Sequence, residues 1–141
     1  TEKLENLCSG WSWEGRLRRA MRFDADTPLA RLCEGDPERI TAALVGEAAR
    51  QGDAGAEKAI EQVASSIGVA IANVVSLFHP ERIALGGGVS LLGETLLEPI
   101  RRHVDRRAFG PFRGRYDIVP CELGESVVLV GALLLAGGSA Q

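Results

Sequence analysis

The stretch His79-Pro80-Glu81-Arg82-Ile83-Ala84-Leu85-Gly86-Gly87-Gly88-Val89-Ser90 holds the residue types best suited to chemistry. Pro80 on one side and Gly86, Gly87 and Gly88 on the other bracket a short apolar run, which reads as a buried strand. In α/β folds ligands bind beyond the carboxyl ends of strands. Glycines there let a flat ring or a phosphate approach the backbone with no Cβ in the way. A helix that follows adds free N–H groups for an anion. Two phosphate-binding patterns fail on single residues. A dinucleotide fingerprint needs a third glycine where Leu91 stands, and a P-loop needs Lys where Glu94 stands, a carboxylate that would repel a triphosphate. A turn that only joins strand to helix is the plain alternative.

The elements that must position this turn are five helices and two strands. Ser9 or Ser12 is placed to cap a first helix running to about Phe23, with Leu17, Ala20 and Met21 as its apolar stripe. A turn is expected around residues 29–35. Asp36-Pro37 opens a second helix, which carries Ile40, Ala43, Leu44, Glu47 and Ala48 at helical spacing and stops at Gly52. Asp53 caps the third and longest helix, in which Ile60, Val63, Ala64, Ile67, Ile71, Val74, Val75 and Phe78 recur at three- and four-residue steps. Pro80 ends it. A fourth helix covers residues 91–107, with a break or kink expected at Pro99. Residues 116–120 form the second strand, and residues 124–136 a fifth helix, so apolar that burial on most sides is expected. Strand, helix, strand, helix is the pattern of a parallel crossover with a covering helix. Two strands are too few for a stable open parallel sheet, so further strands are expected from elsewhere.

Composition sets the class. The chain has 141 residues, 45% hydrophobic and 25% charged, which suits one globular domain. A net charge of −3 implies no whole-chain attraction to nucleic acid or an anionic membrane. Cys8, Cys33 and Cys121 lie far apart and are odd in number, which fits cytosolic thiols and neither a disulfide framework nor a zinc site built from this chain alone. No basic segment followed by an apolar one opens the chain, so no signal peptide is expected. Residues 60–78, interrupted by Ser65, Ser66, Gly68, Asn73 and Ser76, read as a core helix and not a membrane span. The arginine-rich patches at residues 16–22 and 101–107 read as solvated helix faces. His103 is expected to be exposed, and His79 is expected to sit at a helix carboxyl end, where a cation is favoured.

Residues 71–90 resemble the "helix, N-P-E, strand, G-G-G-V-S" stretch of the ROK (repressor, ORF, kinase) family, with His79 where that family often has Asn or Asp. Two further segments are similar to family motifs. Leu4-Glu5-Asn6-Leu7-Cys8-Ser9-Gly10 resembles the "L-E-x-x-x-S-G" segment after the zinc-binding cysteine loop. Gly124-Glu125-Ser126 with Val130-Gly131-Ala132 resembles the closing helix, whose Gly-Ala lets it pack against the interdomain connection.

The resemblance implies an α/β, predominantly helical fold, a partial actin-like or ribonuclease-H-like ATPase domain with a small parallel sheet. It implies that residues 1–141 are the carboxy-terminal part of an ATP-dependent sugar kinase acting on a glucose-like hexose. Glu5 would accept hydrogen bonds from sugar hydroxyls, and Gly86, Gly87 and Gly88 would lie by adenosine. No residue of the chain is assigned a catalytic or metal-binding role. The family's amino-terminal D-x-G-G-T phosphate loop, its Asn-Asp pair with the general base and its C-x-C-G-x-x-G-C zinc loop have no counterpart here, and Lys3-Leu4-Glu5 stands where the last zinc Cys-Leu-Glu would fall. The chain alone is therefore expected to be inactive. ATP and Mg²⁺, and possible zinc, belong to the complete cytoplasmic protein. A homodimer is expected, with no membrane partner and no nucleic-acid partner for this chain. The same segment would serve a sugar-sensing ROK repressor, and a helical interaction module without nucleotide binding is the third reading.

Overall fold

The computed structural model describes residues 3–4, 8–20 and 26–138. Among the described residues, six α-helices and two strands follow in order: α1 (Gly10–Ala20), α2 (Pro28–Leu32), α3 (Ala42–Arg50), α4 (Ala54–Phe78), β1 (Arg82–Leu85), α5 (Glu94–Arg107), β2 (Asp117–Pro120) and α6 (Val127–Gly138). β1 and β2 pair in parallel, Arg82 opposite Asp117 through Leu85 opposite Pro120, as the crossover pattern requires.

The helix starts follow local capping chemistry. Asp53 accepts from the Ala56 amide at 2.9 Å and starts α4. Its second carboxylate oxygen accepts from the Leu29 amide of α2, also at 2.9 Å, and Asp53 is buried. Thr41 caps α3 through the Leu44 amide, and Glu14 of α1 accepts from the Ala42 amide at 2.7 Å. The expected second helix is thus in two pieces. Asp36 and Pro37 start only a 3-10 turn, Pro37–Arg39, and extended Ile40 interrupts it before Thr41 caps again. The inward face of α3 is accordingly Ala42, Val45, Ala48 and Ala49, and Ala43 points outward. The turn expected at residues 29–35 contains the short helix α2, capped by Thr27. In α1 the Ser9 carbonyl accepts from the Trp13 amide, as a cap residue's does, while the Ser9 hydroxyl has no partner among the described residues. Leu17 is buried as expected; Met21 and Phe23 lie outside the described residues.

The core forms where α4 meets α5, with α3 and α1 beside them. Ile60, Val63, Ala64, Ile71 and Val75 of α4 meet Leu96, Leu97, Ile100 and Val104 of α5, each large side chain contributing about 1.5–3 kcal/mol by burial. α4 is long and apolar enough to cross a membrane, but its inward face is packed in this core. Gly68 brings the two helices close: a Cβ there would lie 2.5 Å from the His103 Cβ.

His103 is consequently buried, against expectation. Its Nε2 lies 2.8 Å from Glu61 Oε1, and Arg107 donates to its Nδ1 at 2.9 Å. Arg102 donates to the other Glu61 oxygen at 2.7 Å. The second arginine patch is therefore largely engaged in ties between α4, α5 and β2 instead of being a solvated face. The expected break at Pro99 falls instead at Gly93 (φ +58), between a 3-10 turn, Gly88–Leu92, and a helix that runs through Pro99. The last helix also departs from expectation. Leu129, Leu133, Leu134 and Leu135 of α6 are 64–77% exposed, because no described element folds over them.

Candidate functional site at the carboxyl ends of the strands

A parallel pair puts both carboxyl ends on one side. Gly86–Gly88 leaves β1 there, and residues 121–126 leave β2 beside it. The two loops are hydrogen-bonded: the Cys121 amide donates to the Leu85 carbonyl at 2.7 Å, and the Gly87 amide to the Gly124 carbonyl at 3.4 Å. Gly87 has φ +92, a conformation that L side chains rarely adopt, and a Cβ there would meet nothing within 4 Å. Its glycine is therefore required by backbone geometry, and the space above it is open. Gly86 is exposed; Gly87 and Gly88 are half-buried. Ser90 locks the turn from below, its amide donating to the Gly87 carbonyl at 2.9 Å and its hydroxyl at 2.6 Å.

The turn is fixed to the helical layer by the 3-10 turn Gly88–Leu92. Leu92 is buried against α3, where a Cβ on Gly46 would lie 2.7 Å from Leu92 Cδ2. The same 3-10 turn touches α1. Glu5, the expected sugar contact, lies outside the described residues.

The anion reading of the helix beyond the turn finds little support. The α5 start is separated from Gly88 by the 3-10 turn, and its first turn already carries Glu94, whose carboxylate pairs with Arg101 at 2.6 Å. A second carboxylate or a phosphate placed there would be repelled by Glu94. Among the described residues no three His, Cys, Asp or Glu side chains lie together as metal ligands, and Cys8, Cys33 and Cys121 are all free.

Sequence reasoning did not foresee that the loop after β2 lies beside the glycine turn. The signal was present, because parallel pairing sends Cys121 and Gly124 to the same end as Gly86. His79 does end α4, in the left-handed region at φ +49, and its ring stacks on Phe112 with centroids 4.1 Å apart. It lies at the opposite end of β1 from the glycine turn.

A sequence model described as "ROK family" matches residues 4–138. A glucokinase of Thermotoga maritima is 36% identical over 129 residues, covering 92% of this chain and 40% of that protein. A xylose repressor of Caldicellulosiruptor bescii is 30% identical over 98 residues, 70% of this chain and 25% of the repressor. Among solved structures, a ROK family glucokinase from Streptomyces griseus in complex with glucose and AMPPNP superposes with a TM-score of 0.78 at 33% identity, covering 94% of this chain and 43% of that one. The chain thus spans well under half the length of these relatives.

Proposed function

The chain belongs to the ROK family, in the actin-like ATPase fold of its sugar kinases, and from that premise we propose that it is the carboxy-terminal part of an ATP-dependent kinase of glucose or a similar hexose. The observation that carries the reading is the open, positive-φ glycine turn at the carboxyl end of β1, in a chain that superposes on a glucokinase solved with glucose and an ATP analogue. Gly86, Gly87 and Gly88 would receive adenosine, with residues 121–126 as the second wall, and Glu5 would accept hydrogen bonds from sugar hydroxyls. A carboxylate suits that task, having about four acceptor sites and no donor.

In the longer protein ATP would supply the phosphoryl group and Mg²⁺ would neutralise its charge. This chain's residues bind and orient; none of them is assigned the general base. Any zinc would be held by residues upstream. The protein would work in the cytoplasm, as a homodimer, with the exposed leucines of α6 covered by the upstream part.

The test has two arms. With glucose and Mg-ATP the chain alone should release no ADP above background, and protein-dependent release would overturn the partial-chain reading. AMPPNP at millimolar concentration should slow modification of half-buried Cys121, beside the glycine turn, by a thiol reagent. Unchanged reactivity would overturn the adenosine assignment.

The similarity to the xylose repressor favours a second reading, a sugar-sensing domain of a ROK repressor. A DNA-binding winged helix immediately upstream of Thr1 would decide for it.

A further inference from the structure

The peptide that joins Gly87 to Gly88 has a glycine on each side, so its plane turns more freely than one between residues that carry a Cβ. Gly87 holds φ +92 and ψ 175, a region essentially closed to other residues. Two contacts keep it there. From the β2 side, the Gly87 amide donates to the Gly124 carbonyl at 3.4 Å, which is long for a hydrogen bond. From the other side, the Ser90 hydroxyl donates to the Gly87 carbonyl at 2.6 Å and the Ser90 amide to the same oxygen at 2.9 Å. A planar trans peptide moves as one unit, so fixing this carbonyl fixes the whole 87–88 plane. Ser90 is itself well anchored. Its 3-10 turn ends in buried Leu92 and touches α1, α3, α5 and the 3-10 turn Gly124–Ser126.

We propose that Ser90 is a positioning residue for nucleotide binding: its hydroxyl holds the 87–88 peptide with the carbonyl turned toward Ser90, so that the glycine turn meets adenosine already in its bound shape. This rests on the adenosine reading of Gly86–Gly88 and adds to it a residue that acts through the backbone, without contact to the ligand. With the hydroxyl removed, one amide bond competes with rotation about two glycines. The carbonyl oxygen can then swing away from Ser90, into space that the ligand would occupy. Binding must select the ordered turn from a mixture, and apparent affinity falls with the fraction that is ordered. A serine that merely closes a local turn by bonding back to a carbonyl three residues earlier would change the opening of the turn and leave affinity unmoved.

Ser90→Ala and Ser90→Thr, compared with wild type, test the proposal, with thermal unfolding to confirm folding. The first measurement is amide hydrogen exchange by NMR, without nucleotide. In Ser90→Ala the amides of residues 87 and 90 should exchange about 3- to 10-fold faster, while those of Ile71 and Ile100 in the core keep their rates. The second is the AMPPNP concentration that half-protects Cys121 from a thiol reagent, which should rise by a similar factor. Ser90→Thr, which keeps the hydroxyl, should restore both. Unchanged exchange at residues 87 and 90 in Ser90→Ala would overturn the proposal, as would a threonine variant that behaves like alanine. If AMPPNP protects wild type and Ser90→Ala at the same midpoint, the positioning role fails and the adenosine reading stands. If AMPPNP does not protect wild type, that reading fails and this inference with it. Loss of folding in Ser90→Ala also counts against the proposal, which confines the effect to the turn.

Discussion

Replacing Gly68 by Ala adds one methyl group where α4 and α5 are closest. The new Cβ would lie 2.5 Å from the His103 Cβ and 3.5 and 3.6 Å from that residue's C and Cα. Ordinary carbon contacts are about 3.5–4.0 Å, so the helices must part locally by roughly 1–1.5 Å. Overpacking of this kind costs about 1–3 kcal/mol. Parting also stretches the Glu61–His103 contact, 2.8 Å in the native chain, at a cost of about 0.5–1.5 kcal/mol. Helix propensity works the other way, favouring Ala over Gly by about 1 kcal/mol. The net expectation is a loss of about 1–3 kcal/mol, or a fall in Tm of roughly 3–10 °C for a chain of this size. Thermal unfolding followed by circular dichroism reads it, and a urea titration with unchanged slope would show that stability and not compactness changed. Gly131→Ala is the control: nothing lies within 4 Å of a Cβ at Gly131, so the propensity gain of about 1 kcal/mol should leave Tm unchanged or raised. A Gly68→Ala variant as stable as wild type, or more so, would refute the close-approach argument.

Asp53→Ala removes a cap and orphans the buried Leu29 amide; the two effects together should cost about 2–4 kcal/mol, with Asp53→Asn costing less, as measured by urea unfolding. Tyr116, the single tyrosine, has its phenol pKa pushed up by burial and then by its 2.7 Å bond to Asp105. Its absorbance at 295 nm should therefore rise well above the usual tyrosine midpoint of about 10, and a midpoint at the usual value would exclude the bond. Because the folded chain holds this proton more tightly than the unfolded one, stability should decline as pH rises past about 10. Burial raises the Cys8 and Cys33 thiols, so a thiol reagent should modify half-buried Cys121 first and reach the other two only on unfolding; simultaneous reaction of all three would contradict the packing of α1 and α2.

What the sequence showed well was local. Asp53 before α4, Pro80 after it, and the apolar run between Pro80 and Gly86 each fix a boundary through backbone chemistry alone, and the parallel pairing follows from their order. The Asp36-Pro37 start misled because Thr41 is a second good cap five residues after Asp36, and tertiary contacts, the Glu14 bond to Ala42 among them, decide between them. His103 looked exposed because its neighbours in sequence are arginines. Its burial depends on Gly68, 35 positions away, and no periodicity within residues 101–107 reveals that. α6 looked buried because its composition is apolar on every side. Composition states what a helix needs, and here the described residues do not supply it. The turn at Gly86–Gly88 after a strand was legible from spacing, whereas the approach of residues 121–126 to it required the pairing register.

The shared carboxylate of Asp53 has a dynamic consequence. A five-residue helix such as α2 would ordinarily fray in isolation. Here its Leu29 amide and the Ala56 amide of α4 are held by the two oxygens of one buried side chain. Releasing either amide leaves a charged group half-satisfied in the interior, so the two helix starts open together or not at all. Native-state hydrogen exchange should then give Leu29 and Ala56 the same opening free energy, which makes residues 28–56 one cooperative unit despite the three-residue gap between α3 and α4.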